Sequence, residues 1–302
     1  MIVNATTYPG IRRRQNEPCA LKIRGVAVDS RNDNKLRWQS WLVLAAVAPW
    51  SALAALQSPW NRSTQTGLGI SLGLGLLVWL ARAATPLAAL TGAVITAVLS
   101  LAPLSSSSVF QSALAPLLAL FVLTFSATKF GRRKKEQLGV AEDKHGRNAA
   151  QVAANLGVAG MAAAAALSLP SLGPWCAVAV TAALAEATAD TLASELGEVL
   201  GGQPFMVTTF RRVPAGSDGA VSLAGTLAGT CAAVVVVLVA VVALGLSPGT
   251  AVCAGLGAIA GLFVDSLLGA TAERRGWLNN DAVNFLSTLA AAVIAAGALV
   301  LR

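Results

Sequence analysis

The sequence predicts an all-α polytopic membrane protein of about nine transmembrane helices with a cytosolic N-terminus. Three observations carry this. First, the 302 residues are 55% hydrophobic and only 12% charged, with a mean hydropathy of +0.67; soluble domains carry about 25% charged residues. Second, the apolar residues come in blocks of about 18 to 25, the length that crosses a hydrocarbon core at 1.5 Å per residue. Third, the blocks are rich in Ala, Leu and Gly and show no sustained alternation, which argues against membrane strands.

Taken in order, residues 1–37 are a polar basic tail with eight Lys/Arg and three acidic residues. The tail has no h-region and is therefore no secretory signal peptide. Its Arg-rich, acid-poor character suits a plastid transit segment as well as a plain cytosolic tail. Four apolar spans follow within 38–128, near 38–57, 67–84, 86–104 and 110–128. The second and third are parted only by Thr85-Pro86, as in a tight hairpin or re-entrant pair. A basic loop, 129–147, leads to a five-helix domain over 148–302, with spans near 148–169, 174–199, 221–246, 250–271 and 282–301.

Orientation follows from the loops. With the N-terminus inside, the inner segments hold 20 of the 22 Lys/Arg, all but Arg62 and Arg302, as the positive-inside rule requires. The same distribution accounts for the net charge of +8 without nucleic acid as a partner, because the cations sit in short loops with no interleaved aromatics. Arg132-Arg133-Lys134-Lys135 reads as a topology signal with a secondary attraction for anionic headgroups. Cys19, Cys176, Cys231 and Cys253 have neither metal nor disulfide spacing. His145 is the only histidine, which excludes a Ser/His/Asp triad in practice.

The two halves differ. The first four spans carry essentially no ionisable residue in their interiors, whereas the last five carry Gln151, Asn155, Glu186, Asp190, Glu195, Asp265 and Asn284. Charge at membrane depth costs roughly 2.5 to 3.5 kcal/mol per residue on insertion scales and marks function. Asn155, Asp190, Glu195, Asp265, Asn280 and Asn284 all fall within about 15 Å of the inner face at the helical rise. Distant positions thus share one layer. Its carboxylates need a cation or basic partners among them, and oxygen-only ligands favour Mg²⁺ or Ca²⁺ over zinc. Arg147, Arg211 and Arg212 could instead pair with them as structural ion pairs. Spans five, seven and nine are expected to start at Asn148, Asp218 and Asp281, presenting helix N-termini that suit phosphate. The loop 211–219 adds two guanidinium groups and two glycines, but no Walker A pattern is present.

Several stretches carry a resemblance. They are Ser126-Ala127-Thr128-Lys129, Gly146-Arg147-Asn148 with Gln151 and Asn155, and Asp190-Thr191-Leu192-Ala193-Ser194-Glu195-Leu196-Gly197. Thr208-Thr209, Val213-Pro214-Ala215-Gly216 and Gly219-Ala220-Val221-Ser222 follow, then Asp265-Ser266-Leu267-Leu268-Gly269-Ala270-Thr271 and Asn279-Asn280-Asp281-Ala282-Val283-Asn284. In this order they resemble the family of membrane proteins that contains transmembrane protein 19 and the plant and cyanobacterial phytyl-phosphate kinase. The likeness covers Ser126 to Thr288. Two departures stand out: Glu273 where members often have Gln, and Leu156 directly after Asn155. Gly-Ala-Val-Ser looks like the kinase branch and Asn-Asn-Asp-Ala-Val-Asn like the other, so the branch stays open.

The resemblance implies a membrane-embedded phosphotransferase. It would pass a phosphoryl group from a nucleotide, CTP by implication, to an isoprenoid monophosphate such as phytyl phosphate. Asp190, Glu195 and Asp265 are the expected catalytic and Mg²⁺-holding residues. Lys144, Arg147, Asn155, Thr209, Arg211, Arg212, Gly216, Ser217, Gly219, Ser222, Asn280 and Asn284 are the expected phosphate and nucleotide contacts. Partners would be the isoprenoid phosphate, membrane lipids and, through Gly- and Ala-rich helix faces, further copies of the chain. The ER membrane and the plastid envelope both suit such a protein. The alternatives are a transporter or flippase of a phosphorylated lipid or ion, or a non-catalytic membrane partner.

Overall fold

The computed structural model describes residues 30–104, 112–140 and 146–301, with residues 30–35 described as backbone only. Most of the 1–37 tail, together with Lys144 and His145, lies outside the described residues. Among the described residues ten α-helices run in order: α1 Ser30–Leu56, α2 Arg62–Leu80, α3 Pro86–Leu101, α4 Leu114–Lys129, α5 Arg132–Leu138, α6 Ala149–Ser168, α7 Gly173–Leu200, α8 Leu223–Leu244, α9 Pro248–Leu268 and α10 Asn280–Val300. Two short antiparallel strands, β1 Phe205–Met206 and β2 Ala220–Val221, lie between α7 and α8. The chain is an integral multi-pass membrane protein of all-α architecture.

All nine apolar stretches read from the sequence are helices, but they are not all of membrane-crossing length. Seven are long and apolar enough among the described residues, and α4 joins them only as a pair with α5, bent by 60°. The exception is α3. Its 16 residues reach about 24 Å at 1.5 Å per residue, short of a hydrocarbon core of about 30 Å. Composition could not show this, because Ala102-Pro103 ends the helix inside an apolar run. At the other extreme α1 starts at Ser30, before residue 38, since the polar turns of 30–37 continue the same helix.

Caps set the other boundaries. Asn148 starts α6 in a capping box with Gln151, the two reciprocal bonds being 2.8 and 3.0 Å. The expected starts at Asp218 and Asp281 are corrected. Ser222 caps α8 by accepting from Gly225 N at 3.1 Å, and Asn279 caps α10 by accepting from Ala282 N at 2.9 Å. Residues 205–221 are drawn into the strand pair, so α8 cannot begin before Ser222.

The core centres on α7, which packs against α4, α6, α8, α9 and α10. Its helices approach closely because the facing residues are small: Ala182, Ala185, Ala189, Ala233 and Ala254 are fully buried. The loops on one end of the bundle are stitched together. Arg147 N donates to Ala83 O and Thr85 N to Arg147 O, both at 3.0 Å, tying the α2–α3 turn to the start of α6. Gly146 makes this approach workable, with φ +72° and Ala83 O 2.7 Å from where a Cβ would stand. Gln39 bonds Trp277 O at 2.8 Å and Asn279 N at 2.9 Å, and Ser40 donates to Asp281 at 2.6 Å. The N-terminal half of α1 therefore sits at the end that holds the loops before α6, α8 and α10.

Candidate functional site

Asp190 on α7 and Asp265 on α9 interact directly, and Arg147 at the start of α6 lies in electrostatic contact with Asp190. Asp265 Oδ2 is buried without a hydrogen-bond partner, as is Glu186 Oε1 one turn deeper on α7. Such orphan oxygens are costly, and each keeps the capacity to accept a donor or a cation.

The aspartate pair opens on a cavity of about 280 Å³. The turn 215–222 forms its opposite wall, with Gly216, Ser217, Gly219 and Ser222 all lining it. Gly219 has φ +71° and runs against the backbone of Ala270, where a Cβ would collide. Only glycine lets this turn touch the π-helical turn Gly269–Glu273, and π turns recur at functional sites. A second compartment of about 230 Å³ adjoins the first at Asp190, Asn280 and Asn284 and is lined also by Arg147, Asn155, Glu195 and Glu198. Asn280 and Asn284, four apart on one face of α10, border both compartments.

The charge is uneven. Among the described residues the first cavity is lined by Asp190, Glu198, Asp218, Asp265 and Glu273, with no Lys or Arg. A polyphosphate could enter it only with cations. The expected trio of Asp190, Glu195 and Asp265 is corrected: among the described residues no group of three or more His, Cys, Asp or Glu is arranged for a metal. Glu195 turns away to an ion pair with Lys135 and accepts from Thr128 Oγ1 at 3.0 Å. Five positions along a helix rotate a side chain by about 140°; Glu195 and Asp190 both border the second compartment, but only Asp190 reaches the first. The pair Asp190/Asp265 remains, with an orphan oxygen. It fits Mg²⁺, which takes one or two carboxylates and completes its shell with phosphate and water.

Of the other expected contacts, Arg147, Asn155, Gly216, Ser217, Gly219, Ser222, Asn280 and Asn284 come together here. Thr209, Arg211 and Arg212 do not line either compartment. They sit exposed on the turn after β1, where Arg212 lies 5.3 Å from the Phe205 ring and bonds Gln203 at 3.4 Å. Lys135 was missed as a site residue. Within a basic run it reads as solvated, yet it is 1% exposed and its Nζ donates to Ala127 O at 2.8 Å as well as to Glu195.

A bundle with a carboxylate pair and a glycine-rich turn at one end is a polytopic membrane protein with a polar, acidic cavity at a single face. More narrowly, the chain belongs to the family described as integral membrane protein DUF92, which matches residues 69–292, and the resemblance to the transmembrane protein 19 and phytyl-phosphate kinase family holds. It is 32% identical over 186 residues to the uncharacterized membrane protein sll0875 of Synechocystis, covering 60% of this chain and 71% of that one. To the chloroplastic protein VTE6 of Arabidopsis thaliana it is 33% identical over 186 residues, 59% of this chain and 55% of VTE6. To the uncharacterized membrane protein MJ0933 of Methanocaldococcus jannaschii it is 39% identical over 120 residues, 40% of this chain and 50% of that one. The chain thus spans about half the length of the latter two. No solved structure matches it.

Proposed function

We propose that the protein is a phytyl-phosphate kinase-type enzyme that transfers the terminal phosphoryl group of a nucleoside triphosphate to an isoprenoid monophosphate. The carrying observation is the Asp190/Asp265 pair, with its orphan oxygen, facing a glycine-rich turn across an acidic cavity beside a compartment that Arg147 lines. CTP is the donor that the family resemblance implies.

Asp190 and Asp265 would hold Mg²⁺, which, when bound, neutralises charge on the phosphates as the terminal group transfers. The amides and hydroxyls of 216–222 would bind and orient the nucleotide phosphates, since a backbone free of Cβ atoms can approach an anion closely. Arg147 would hold the acceptor phosphate in line. An acceptor that is already an anion needs no strong base, which suits a chain with one histidine. The Lys/Arg gathered in the loops at this end support a cytosolic or stromal orientation for this face.

The test is phosphoryl transfer by purified protein offered CTP, ATP, GTP and UTP with Mg²⁺ and phytyl, geranylgeranyl or farnesyl phosphate. Isoprenoid diphosphate from the wild type and none from Asp265→Asn is the expected result. Absence of product from every pair, with folded protein, would overturn the proposal in favour of lipid transport or a non-catalytic role.

A further inference from the structure

A third cavity, of about 410 Å³, is mainly apolar and runs between α2, α4 and α6. Leu74, Leu77, Leu118, Phe121 and Val122 form its sides and Leu156 its back. Leu77 and Val122 are 61% and 64% exposed, so the gap between α2 and α4 opens toward the surrounding lipid. One end is different. Arg82, Lys129, Arg132 and Arg147 line it there. Arg147 and Asn155 also line the compartment that reaches Asp190. An apolar slot with four cations at its mouth thus leads to the aspartate pair.

We propose that this groove is the acceptor subsite, taking a single isoprenoid chain laterally from the bilayer with its monophosphate against Arg147. The inference rests on the kinase reading. Its occupant follows from charge and shape: an anionic headgroup for the cationic mouth, and a chain lying along α4. From Lys129 to Leu118 the groove extends eleven positions, about 16 Å at the helical rise. The nucleotide then occupies the acidic cavity and the acceptor the cationic one, with Asp190 between them. An acceptor oxygen attacks the terminal phosphorus, a new P–O bond forms, and the bond to the nucleoside diphosphate breaks. No proton need be removed from the acceptor.

Chain length is therefore read at Leu118, the far end. Leu118→Trp, at a position 41% exposed, should lower kcat/KM for geranylgeranyl phosphate ~10-fold or more, as pocket truncations do, while sparing geranyl phosphate. Leu74→Phe on the opposite wall serves should that variant fail to fold. In parallel, geranylgeranyl phosphate with a diazirine at its distal end is photolysed with the full chain in nanodiscs, without nucleotide. Label on α2 and α4 near Leu74 and Leu118, competed by geranylgeranyl phosphate but not by phosphatidate, is expected. Label elsewhere, competition by phosphatidate, or equal loss for both chain lengths would overturn the subsite. Label in the groove with no phosphoryl transfer would leave the subsite standing and remove the kinase reading instead.

Discussion

α2 and α7 are both long apolar helices, yet their surroundings could hardly differ more. Over the membrane-crossing window 17% of α2 is buried inside the protein, against 83% of α7. α2 has no acidic residue, and its one cation, Arg62, opens its first turn, whereas α7 carries Glu186, Asp190, Glu195 and Glu198. A charge facing lipid has no partner and no water. Only a helix enclosed by other helices can hold carboxylates at depth, because its neighbours supply cations and amides. α7 can therefore carry polar chemistry, while α2 supplies a wall against the lipid.

The comparison breaks first at the aspartates. Asp190→Asn and Asp265→Asn are each expected to lower phosphoryl transfer at least ~10²-fold, the scale of losing one electrostatic stabiliser, with elution from size-exclusion chromatography unchanged. Asp29→Asn should leave the rate alone. Next comes Lys135→Ala, which strands Glu195 and should destabilise by about 3–5 kcal/mol. Arg133→Ala next to it, exposed to solvent, should stay within about 0.5 kcal/mol. Denaturant titration in detergent separates the two.

Glycines sharpen the same contrast. At Gly261 on α9 a Cβ would stand 2.6 Å from Glu186 Cγ and 2.9 Å from Ser287 O. Gly261→Ala should cost about 1–3 kcal/mol through overpacking and lower the thermal midpoint. Gly73 on α2 meets nothing within 4 Å, so Gly73→Ala should be neutral or raise stability by up to about 1 kcal/mol through helix propensity. A comparable effect is expected on the tie between α1 and the α9–α10 loop. Gln39→Leu leaves Asn279 N without its acceptor, at about 1–3 kcal/mol, and hydrogen exchange around 277–281 should rise.

Much of the site was legible because loop parity is simple. Alternating spans and a one-sided distribution of Lys/Arg put Asp190, Asp265, Asn155 and Asn284 at one end whatever the lateral packing. The boundary errors have a local cause. Asp218 and Asp281 looked like caps, but Ser222 and Asn279 take that role, since a two-residue strand pair and the Gln39 contact fix where those helices can start. Arg211 and Arg212 were assigned to phosphate by sequence proximity to Gly216, yet the turn after β1 carries them outward.

The sequence by itself determined the membrane class and the single end at which Asp190, Glu195 and Asp265 lie, because hydropathy, loop charge and position along a helix axis are all one-dimensional quantities. Direction around each axis is another matter. A helix that is apolar on every side offers no stripe to orient it, so α7 could have turned Glu195 or Asp190 toward α9. Packing of small residues against α8, α9 and α10 made that choice. It sent Glu195 to Lys135, gathered the carboxylates around one cavity, and left the apolar groove between α2 and α4 open to lipid.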